Sequence, residues 1–212
     1  MKLIVVGASS LGRSVVQIAA AQATFEVIGV VDDVVKIGTL VEGVPCLGGV
    51  DQIELLQKRF DDLGVVIAIG DPRTRQGVHA RLQQKVPDIK YQTIVHPMAS
   101  FLGHVQLGVG CIVFPGCAFG PGVVIGVACV LNANVSIGAG TCIEDFVTLC
   151  PGVNIGSEST LGTGAYVGMG AAIAQQISLG RWSTLGALSF AREDVATEAT
   201  AVGTPARERD IE

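Results

Sequence analysis

Long apolar runs, targeting signals and clusters of basic residues are all missing from this sequence of 212 residues. Glycines and polar residues interrupt every apolar stretch before the roughly 18 residues that a bilayer-spanning helix needs. The opening MKLIVVGASS has neither the long apolar region nor the small-residue cleavage site of a signal peptide, so we expect a first strand there. Net charge is −5 and the basic residues are scattered, which argues against nucleic acid as a partner. We expect no membrane segment.

Cysteine pairs and metal-ligand clusters are missing as well. The six cysteines include no CxxC pair, and none lies in a cluster with histidine. This usage is typical of the reducing cytoplasm and predicts neither a disulfide framework nor a zinc site. We therefore expect a cytoplasmic protein without a bound metal.

Charge is scarce in one half of the chain only. Acidic and basic residues are common up to Lys90, whereas only four charged residues occur from Tyr91 to Phe190. This shift predicts a domain boundary near residues 93–98. We expect an N-terminal domain over 1–94, a second domain over 95–190 and a C-terminal tail over 191–212.

The first half alternates strand and helix patterns. Apolar runs predict strands at 2–7, 25–33, 64–70 and 90–95. Helical spacing follows the first run, DQIELLQKRF predicts a second helix over 51–60, and Pro72 is suited to begin a third. Strands separated by helices predict βαβ units, and therefore a small Rossmann-like domain with a parallel sheet.

The second half is a repeat with a period of six residues. Sixteen consecutive positions, six residues apart from Val95 to Leu185, all hold large apolar residues. Four residues after each comes a mostly small residue, and glycine often follows the large one, where we expect a tight corner. Such a repeat predicts a parallel β-helix in which each hexapeptide forms one flat side. The large and small residues, including Cys111, Cys117 and Cys129, fill its interior.

The outer faces of such a prism carry few charges. Large neutral surfaces are typical of proteins that associate, so we expect a homo-oligomer packed through these faces.

The segment GASSLG, Gly7–Gly12, follows the first strand and opens the first helix. Backbone N–H groups at such a helix start favour an anion, usually a phosphate. Asp32 ends the second strand, where dinucleotide-binding folds place a ribose-binding acid. However, Ser9 replaces the middle glycine and only four strands are predicted, so a nucleotide or nucleotide-sugar is favoured over NAD. A tight turn without a ligand is the alternative.

A second corner, AIGDPRTR, is expected at the same sheet edge, where Arg73 or Arg75 would reach a phosphate or form a solvated helix face. The candidate substrate-binding residues are Gly7, Ser9, Ser10, Gly12, Asp32, Asp33, Gly70, Asp71 and Arg73.

The whole chain resembles the bacterial nucleotide-sugar acetyltransferases of the PglD/NeuD type. The resemblance rests on VVGASSLGRSV, IGVVDD, GVPCLGGVDQI, AIGDPRTR, VHPMASF, the hexapeptides and the closing VGTPARERD. It implies a left-handed β-helix with triangular coils of about 18 residues, a homotrimer, and a nucleotide-sugar held by the N-terminal domain. It also implies acetyl-CoA as co-substrate, bound along the prism between subunits, with the acetyl group passing to a sugar amine or hydroxyl.

The chain departs from this family at the catalytic positions. The family places a general-base histidine, an orienting acid and a second histidine where this chain has Ala139, Gly140 and Thr148. Glu144 replaces a customary glycine, whereas Asp145 keeps the pattern. Glu144, Asp145 and Thr148 are therefore only weak catalytic candidates, since an exposed carboxylate is a poor base at neutral pH.

The three histidines of the chain, His79, His96 and His104, do not align with the missing base. Each is expected to be structural.

Three functions remain open. The first is an acyl-CoA-dependent transferase that works by positioning its reactants without the usual base. The second is an inactive homologue that binds nucleotide-sugar and CoA or regulates another protein. The third, disfavoured by Ser9, is an NAD-linked function. The candidate CoA-binding residues are the corner glycines Gly156, Gly168 and Gly186.

Overall fold

In the computed structural model, which describes residues 1–209, the chain divides between Ile94 and Val95 into two units. The elements of the first unit are β1 (Lys2–Val6), α1 (Ser10–Ala20), β2 (Glu26–Val31), β3 (Leu40–Val41), β4 (Val44–Pro45), α2 (Gln52–Arg59), β5 (Leu63–Ile67), α3 (Pro72–Lys85) and β6 (Lys90–Tyr91).

A four-stranded parallel sheet with the order β2-β1-β5-β6 forms the centre of this unit. All five residues of β5 are buried, as expected for a strand covered on both faces. The helix α1 buries Val15, Val16 and Ala19 on one face, which agrees with its predicted spacing. The predicted small parallel-sheet domain is confirmed. No helix within residues 1–209 combines the length and the apolar character that crossing a membrane requires.

Two details of the first unit differ from the prediction. The hairpin of β3 and β4 was missed, although Glu42 and Gly43 between its strands both have positive φ, as a tight two-residue turn requires. The run KYQTIV is not one strand. Its first part is β6, and its last part is β7 (Ile94–Val95), which belongs to a sheet of the prism.

The second unit is a prism with three parallel sheets, which we call its faces. The first face contains β7, β10 (Ile112–Val113), β13 (Val130–Leu131), β16 (Thr148–Leu149), β19 (Tyr166–Val167), β22 (Thr184–Leu185), β24 (Thr200–Gly203) and β25 (Ala206–Arg209). The second face contains β8 (Ser100–Phe101), β11 (Ala118–Phe119), β14 (Ser136–Ile137), β17 (Asn154–Ile155), β20 (Ala172–Ile173) and β23 (Phe190–Ala191). The third face contains β9 (Gln106–Leu107), β12 (Val124–Ile125), β15 (Cys142–Ile143), β18 (Thr160–Leu161) and β21 (Ser178–Leu179).

Strands of one face pair in a fixed register, for example Val113 with Leu131 and Leu131 with Leu149. Each triangular coil therefore contains 18 residues. The large hexapeptide residues are buried from Val113 to Leu185, whereas Phe101 in the first coil is 41% exposed. None of the six cysteines, all of which lie within residues 1–209, is in a disulfide, and Cys111, Cys117 and Cys129 are buried inside the prism. The predicted left-handed parallel β-helix is confirmed.

Glycine follows the large apolar residues for a reason other than the predicted tight corner. The left-handed conformation lies two residues after them, at every sixth residue from 110 to 188. These positions are Gly110, Gly116, Gly122, Ala128, Asn134, Gly140, Phe146, Gly152, Glu158, Gly164, Gly170, Gln176, Trp182 and Leu188. The glycine directly after the large residue is required by close approach instead. A Cβ atom on Gly120, for example, would lie 2.6 Å from the backbone nitrogen of Ala139 in the next coil.

The predicted separate tail, 191–212, is wrong for residues 191–209, because these residues continue the prism. Ala191 pairs with Ile173, and β24 pairs with β22 in a coil shortened by two residues, since Thr184 faces Thr200. β25 then adds an antiparallel strand to the first face. Residues 210–212 lie outside the described residues.

The stacking of coils predicts unequal effects for two glycines of one corner. Gly120→Ala should destabilise the prism by about 3 kcal/mol, because the added Cβ overlaps backbone that cannot move aside. Gly122→Ala should cost only about 1 kcal/mol, since its φ is +74° but the nearest atom would be 3.9 Å away. Thermal unfolding midpoints of the two variants check this difference. Equal midpoints would contradict the role given to close approach.

Candidate functional site

The loop between β1 and α1 is shaped by two glycines in contact. Gly7 has φ +102°, and a Cβ there would lie 2.8 Å from the carbonyl oxygen of Ala68. A Cβ on Gly12 would overlap the carbonyl oxygen of Gly7, so helix and loop touch directly. Ser9 and Ser10 are exposed, and Ser9 occupies the N-cap without a side-chain capping bond. The backbone at the start of α1 is therefore open to a ligand.

Asp32 is bound to the backbone around it. Its Oδ2 accepts the N–H of Ala8 at 2.9 Å, and its Oδ1 accepts the N–H groups of Val34 and Val35. Burial alone would raise the pKa of Asp32, but the N–H groups of Val34, Ala8 and Val35 together hold it below its usual value. Asp32 thus joins the glycine loop to the end of β2, which leaves little acceptor capacity for a ribose.

Asp33 also has structural partners. Its Oδ1 accepts the N–H of Val50 at 2.8 Å, and its Oδ2 pairs with Arg81 at 3.0 Å. Arg81 and Lys85 of α3 both contact Asp51, and these bonds lower the pKa of Asp51 to about 2. The second acid of the predicted pair therefore ties α3 to the loop after β2.

The corner after β5 is held from within. Asp71 is the N-cap of α3, and the hydroxyl and then the N–H of Thr74 hold its pKa below the usual value. Arg75, which is 1% exposed, donates to the carbonyl oxygens of Ile69 and Gly70 at 2.5 and 3.0 Å. Arg75 is therefore internal, whereas Arg73 is exposed.

The topology brings these segments to one edge of the sheet. β2, β1 and β5 are neighbours and parallel, so residues 7–12, 32–33 and 70–73 all follow carboxyl ends of adjacent strands. Ligands of open α/β sheets bind at such an edge. The nine predicted substrate-binding residues thus fall together, although Gly12, Asp32 and Asp33 are shown in structural contacts.

On the prism, Ala139 and Gly140, where the resemblance leads us to expect a base and its orienting acid, lie in the turn from the second to the third face. We call residues 120–122, 138–140, 156–158 and 174–176 the 139 corner. Ala139 is half-buried there and Gly140 is exposed with φ +67°. The carbonyl oxygen of Ala139 accepts the N–H of Glu158, one coil further on. Neither Ala139 nor Gly140 carries a group that can move a proton.

Glu144 and Asp145 lie at a different corner, from the third to the first face, and each binds a neighbouring coil. Asp145 Oδ1 accepts the N–H of Val127 in the preceding coil at 2.8 Å. Glu144 Oε2 accepts the hydroxyl and the N–H of Thr163 in the following coil at 2.6 and 2.8 Å. The hydrogen bond from the Thr163 hydroxyl, and after it the one from the Thr163 N–H, hold the pKa of Glu144 below its usual value. A lowered pKa makes Glu144 a weaker base still.

Thr148 is buried on the first face, between Val130 and Tyr166 in register. In a triangular coil this face is opposite the 139 corner. Thr148 and Ala139 of one chain therefore lie on different sides of the prism, and the structure does not bring the two family histidine positions together within a chain.

The three histidines have structural contacts. His79 stacks on Tyr91 with ring centroids 4.4 Å apart, and its carbonyl oxygen accepts the Tyr91 hydroxyl. His96 Nδ1 lies 3.1 Å from the N–H of Met98. The ring of His104 lies 3.4 Å from the Gln106 side chain, and its carbonyl oxygen accepts the N–H of Gly122. His104 itself lies nearly two coils before Ala139. Within residues 1–209 no group of three or more potential ligands is arranged to hold a metal ion.

A shallow groove runs over the second face beside the 139 corner. Its walls include the small outward residues Ser100, Ala118 and Ser136. Gly156 borders this face at the 139 corner, and Gly168 and Gly186 border it at the opposite corner, where the chain passes from the first face to the second. The three predicted CoA glycines thus flank one face. A Cβ on each would overlap the next coil, so their glycine identity also has a packing reason.

Comparisons with known proteins agree with this architecture. The family model of the PglD N-terminal domain matches residues 2–82. No curated sequence matches the chain. Among solved structures, the acetyltransferase domain of PglB from Neisseria gonorrhoeae FA1090, in complex with acetyl coenzyme A, is 25% identical, with a TM-score of 0.87 and 98% of each chain covered.

Two further structures share the fold over the whole chain. A histidine-to-asparagine variant of perosamine N-acetyltransferase from Caulobacter crescentus, in complex with CoA and GDP-perosamine, is 23% identical, with a TM-score of 0.92, covering 100% of this chain and 98% of that one. WeeI from Acinetobacter baumannii AYE is 24% identical, with a TM-score of 0.89, covering 99% and 100%.

Fold and comparisons together define a two-unit protein with the fold of the left-handed β-helix acyltransferases. Residues 2–82 carry the PglD N-terminal domain, and the resemblance to the PglD/NeuD-type nucleotide-sugar acetyltransferases is confirmed.

The contacts of Glu144 and Asp145 predict a loss of stability when either side chain is truncated. Glu144→Ala and Asp145→Ala should each destabilise the prism by about 1–2 kcal/mol, because an N–H of a neighbouring coil loses its acceptor. Glu144→Gln and Asp145→Asn keep an acceptor oxygen and should lose less. Thermal unfolding of the four variants checks this order. Alanine variants as stable as the amide variants would show that the carboxylates do not join the coils.

The contacts of Asp32 predict a pH-dependent role in holding the loop. Because the folded pKa of Asp32 is lowered, its contribution is complete above the unfolded pKa of about 3.9 and is lost as pH falls through the folded pKa. Asp32→Asn should therefore expose the Ala8 amide to faster hydrogen exchange at pH 7. The difference from the unmodified protein should shrink in acid.

Hydrogen–deuterium exchange of the peptide that contains Ala8 measures this effect, with the exposed Asp88→Asn as control. A difference that persisted unchanged below the folded pKa would contradict the assignment.

Proposed function

We propose that this protein is an acyl-CoA-dependent transferase that acylates an amino or hydroxyl group of a nucleotide-linked sugar, with acetyl-CoA as co-substrate. One observation carries the proposal: the chain shares both units, over 98–100% of its length, with proteins solved with acetyl coenzyme A or with CoA and GDP-perosamine.

The N-terminal unit supplies the site for the nucleotide-sugar. The open backbone at Ser9 and Ser10, at the start of α1, suits the phosphates because N–H groups and the helix dipole both favour anions there. Arg73 and the Gly70–Asp71 corner lie on the same sheet edge. Asp32 and Asp33 support this site by holding its loops, through the N–H groups of Ala8 and Val50.

Coenzyme A is assigned to the second face of the prism. The groove along Ser100, Ala118 and Ser136 extends to Ile155, and Gly156 follows directly at the 139 corner. Gly168 and Gly186 border the same face one and two coils further along the prism. Small outward side chains let an extended pantetheine approach the backbone. The thioester would then lie near Ala139, at the edge of the same groove.

A homotrimer is part of the proposal. Thr148 lies on the first face and Ala139 at the opposite corner, so the two positions can line one site only if they come from different subunits. Few charges on the prism faces also favour packing of copies against one another.

Chemistry at this site depends on positioning. Attack of a neutral amine on a thioester needs the two reactants held in contact, which supplies much of the rate enhancement in acyl transfer. Neither Ala139 nor Thr148 can replace an imidazole as base, and the carboxylate of Glu144 already accepts a hydrogen bond from the Thr163 hydroxyl. Turnover is therefore expected to be slower than in enzymes with the histidine.

A second candidate function is that of a binding or regulatory protein without turnover. The replacement of all three catalytic positions by Ala139, Gly140 and Thr148 favours it. The two candidates agree on binding of nucleotide-sugar and CoA and differ only in transfer.

Calorimetry with acetyl-CoA and with nucleoside diphosphates tests binding, and a thiol-release assay against a panel of amino-sugar nucleotides tests transfer. Release on one acceptor of the panel supports the transferase. Binding of acetyl-CoA without release on any acceptor supports the second candidate, and absence of acetyl-CoA binding contradicts both.

Restoring the imidazole should raise the rate. Ala139→His is expected to increase thiol release by 10- to 100-fold, because a general base near neutrality enters the site. Adding Gly140→Asp should reduce the gain. Residue 140 has φ +67°, and an added Cβ would lie 3.6 Å from Glu158 Cγ, so two carboxylates would be crowded together. Initial rates of the single and double variants test this order, and a double variant faster than Ala139→His would contradict it.

A further inference from the structure

Glu158 is the one charged residue of the 139 corner. The other residues of this corner, which include Pro121, Ser157 and Gln175, are small or uncharged. From Tyr91 to Phe190 the only lysine or arginine is Arg181, which lies at the corner of Glu144 and Asp145. Glu158 therefore has no lysine or arginine beside it within the 139 corner.

The side chain of Glu158 occupies the space beside the missing base. Its backbone N–H donates to the carbonyl oxygen of Ala139 at 2.8 Å, which fixes the two residues one above the other. Its Cγ lies within 3.6 Å of the point where a Cβ on Gly140 would stand. Glu158 thus places a carboxylate close to the position where the family has its orienting acid.

Glu158 is held in a defined orientation by one contact. Gln176 Nε2, in the following coil, donates to Glu158 Oε2 at 2.7 Å. Oε1 accepts no hydrogen bond within residues 1–209, and the side chain is exposed to solvent. One carboxylate oxygen is therefore fixed and the other is available to a ligand.

We propose that Glu158 meets the nitrogen of the acceptor in this site, so that the acceptor is an amino sugar. This inference rests on the proposed function and narrows its substrate class. A lone carboxylate complements a group that carries or develops positive charge. An amine acquires a full positive charge on nitrogen as it attacks, and the N–H is then acidic enough for a carboxylate to take its proton. A hydroxyl must lose its proton before or as it attacks, for which an exposed carboxylate is a poor base.

In the proposed step Glu158 accepts a proton and later returns it. The neutral amine attacks the thioester carbonyl carbon, which forms the C–N bond and leaves positive charge on nitrogen and negative charge on oxygen. Glu158 Oε1 takes the N–H proton. The carbonyl bond re-forms, the C–S bond breaks, and the departing thiolate receives the proton from Glu158. The products are the amide and the free thiol, and the carboxylate is regenerated. Because the nitrogen becomes positive only as the bond forms, the carboxylate stabilises the transition state more than the reactants.

Glu158→Gln tests the role directly, since it keeps the size and the contact from Gln176 but removes the charge. With an amino-sugar nucleotide, kcat should fall about 100-fold with a smaller change in KM, and Glu158→Asp should restore part of the rate. Glu193→Gln, an exposed glutamate of the last coil, is the matched control and should leave the rate unchanged. A Glu158→Gln variant as active as the unmodified protein would overturn the proposal, as would equal turnover of amino and hydroxyl acceptors.

Binding separates this inference from the proposed function. Calorimetry of the CoA-loaded protein at pH 7 compares an amino-sugar nucleotide with its hydroxyl counterpart. The unmodified protein should prefer the amine by about fivefold, and Glu158→Gln should lose the preference. If no thiol is released on any acceptor but this preference is seen and lost in the variant, the transferase function fails and the amine site stands. If no preference is seen, the amine site fails whether or not thiol is released.

Discussion

Each coil of the prism is hydrogen-bonded to the next coil 18 residues later, and this stacking decides what can stand at every corner. The residue after each large apolar residue faces the backbone of the following coil, so it is commonly glycine. Two residues later the chain adopts a left-handed conformation, which tolerates side chains at an energetic cost of about 1 kcal/mol. Side chains that carry chemistry are therefore confined to a few outward positions.

The same constraint explains the use of Glu144 and Asp145. Corners leave backbone N–H groups outside the strand ladders, and an N–H without an acceptor is costly when water is excluded. Asp145 and Glu144 supply acceptors to the coils before and after their own. Carboxylates committed in this way stabilise the stack and are poorly available to a substrate. Glu158, at another corner, accepts the Gln176 side chain on one oxygen, and its other oxygen accepts no hydrogen bond within residues 1–209.

Much of the fold was predictable because the apolar residues of both units recur at regular intervals along the sequence. Alternating strand and helix patterns predicted the four-stranded sheet, and sixteen hexapeptides predicted the prism. The predictions failed where tertiary contacts gave a segment a structure that its local sequence pattern does not indicate. KYQTIV is one apolar run but serves two sheets, and residues 191–209 lack a perfect hexapeptide register yet continue the prism through a coil shortened by two residues.

The sequence by itself determined the architecture and the segments that meet at one edge of the first sheet, since these depend on residue type and spacing along the chain. The position expected for the family's histidine followed from the resemblance. Only the tertiary structure decided which carboxylates are engaged. Nothing in the linear sequence distinguishes the carboxylates of Asp32, Glu144 and Asp145. In the structure each accepts a hydrogen bond from a backbone N–H group that lies 18 to 24 residues away in the chain. Glu158 was not predicted as a site residue from the sequence, because it comes close to Ala139 and Gly140 only through the stacking of one coil on the next.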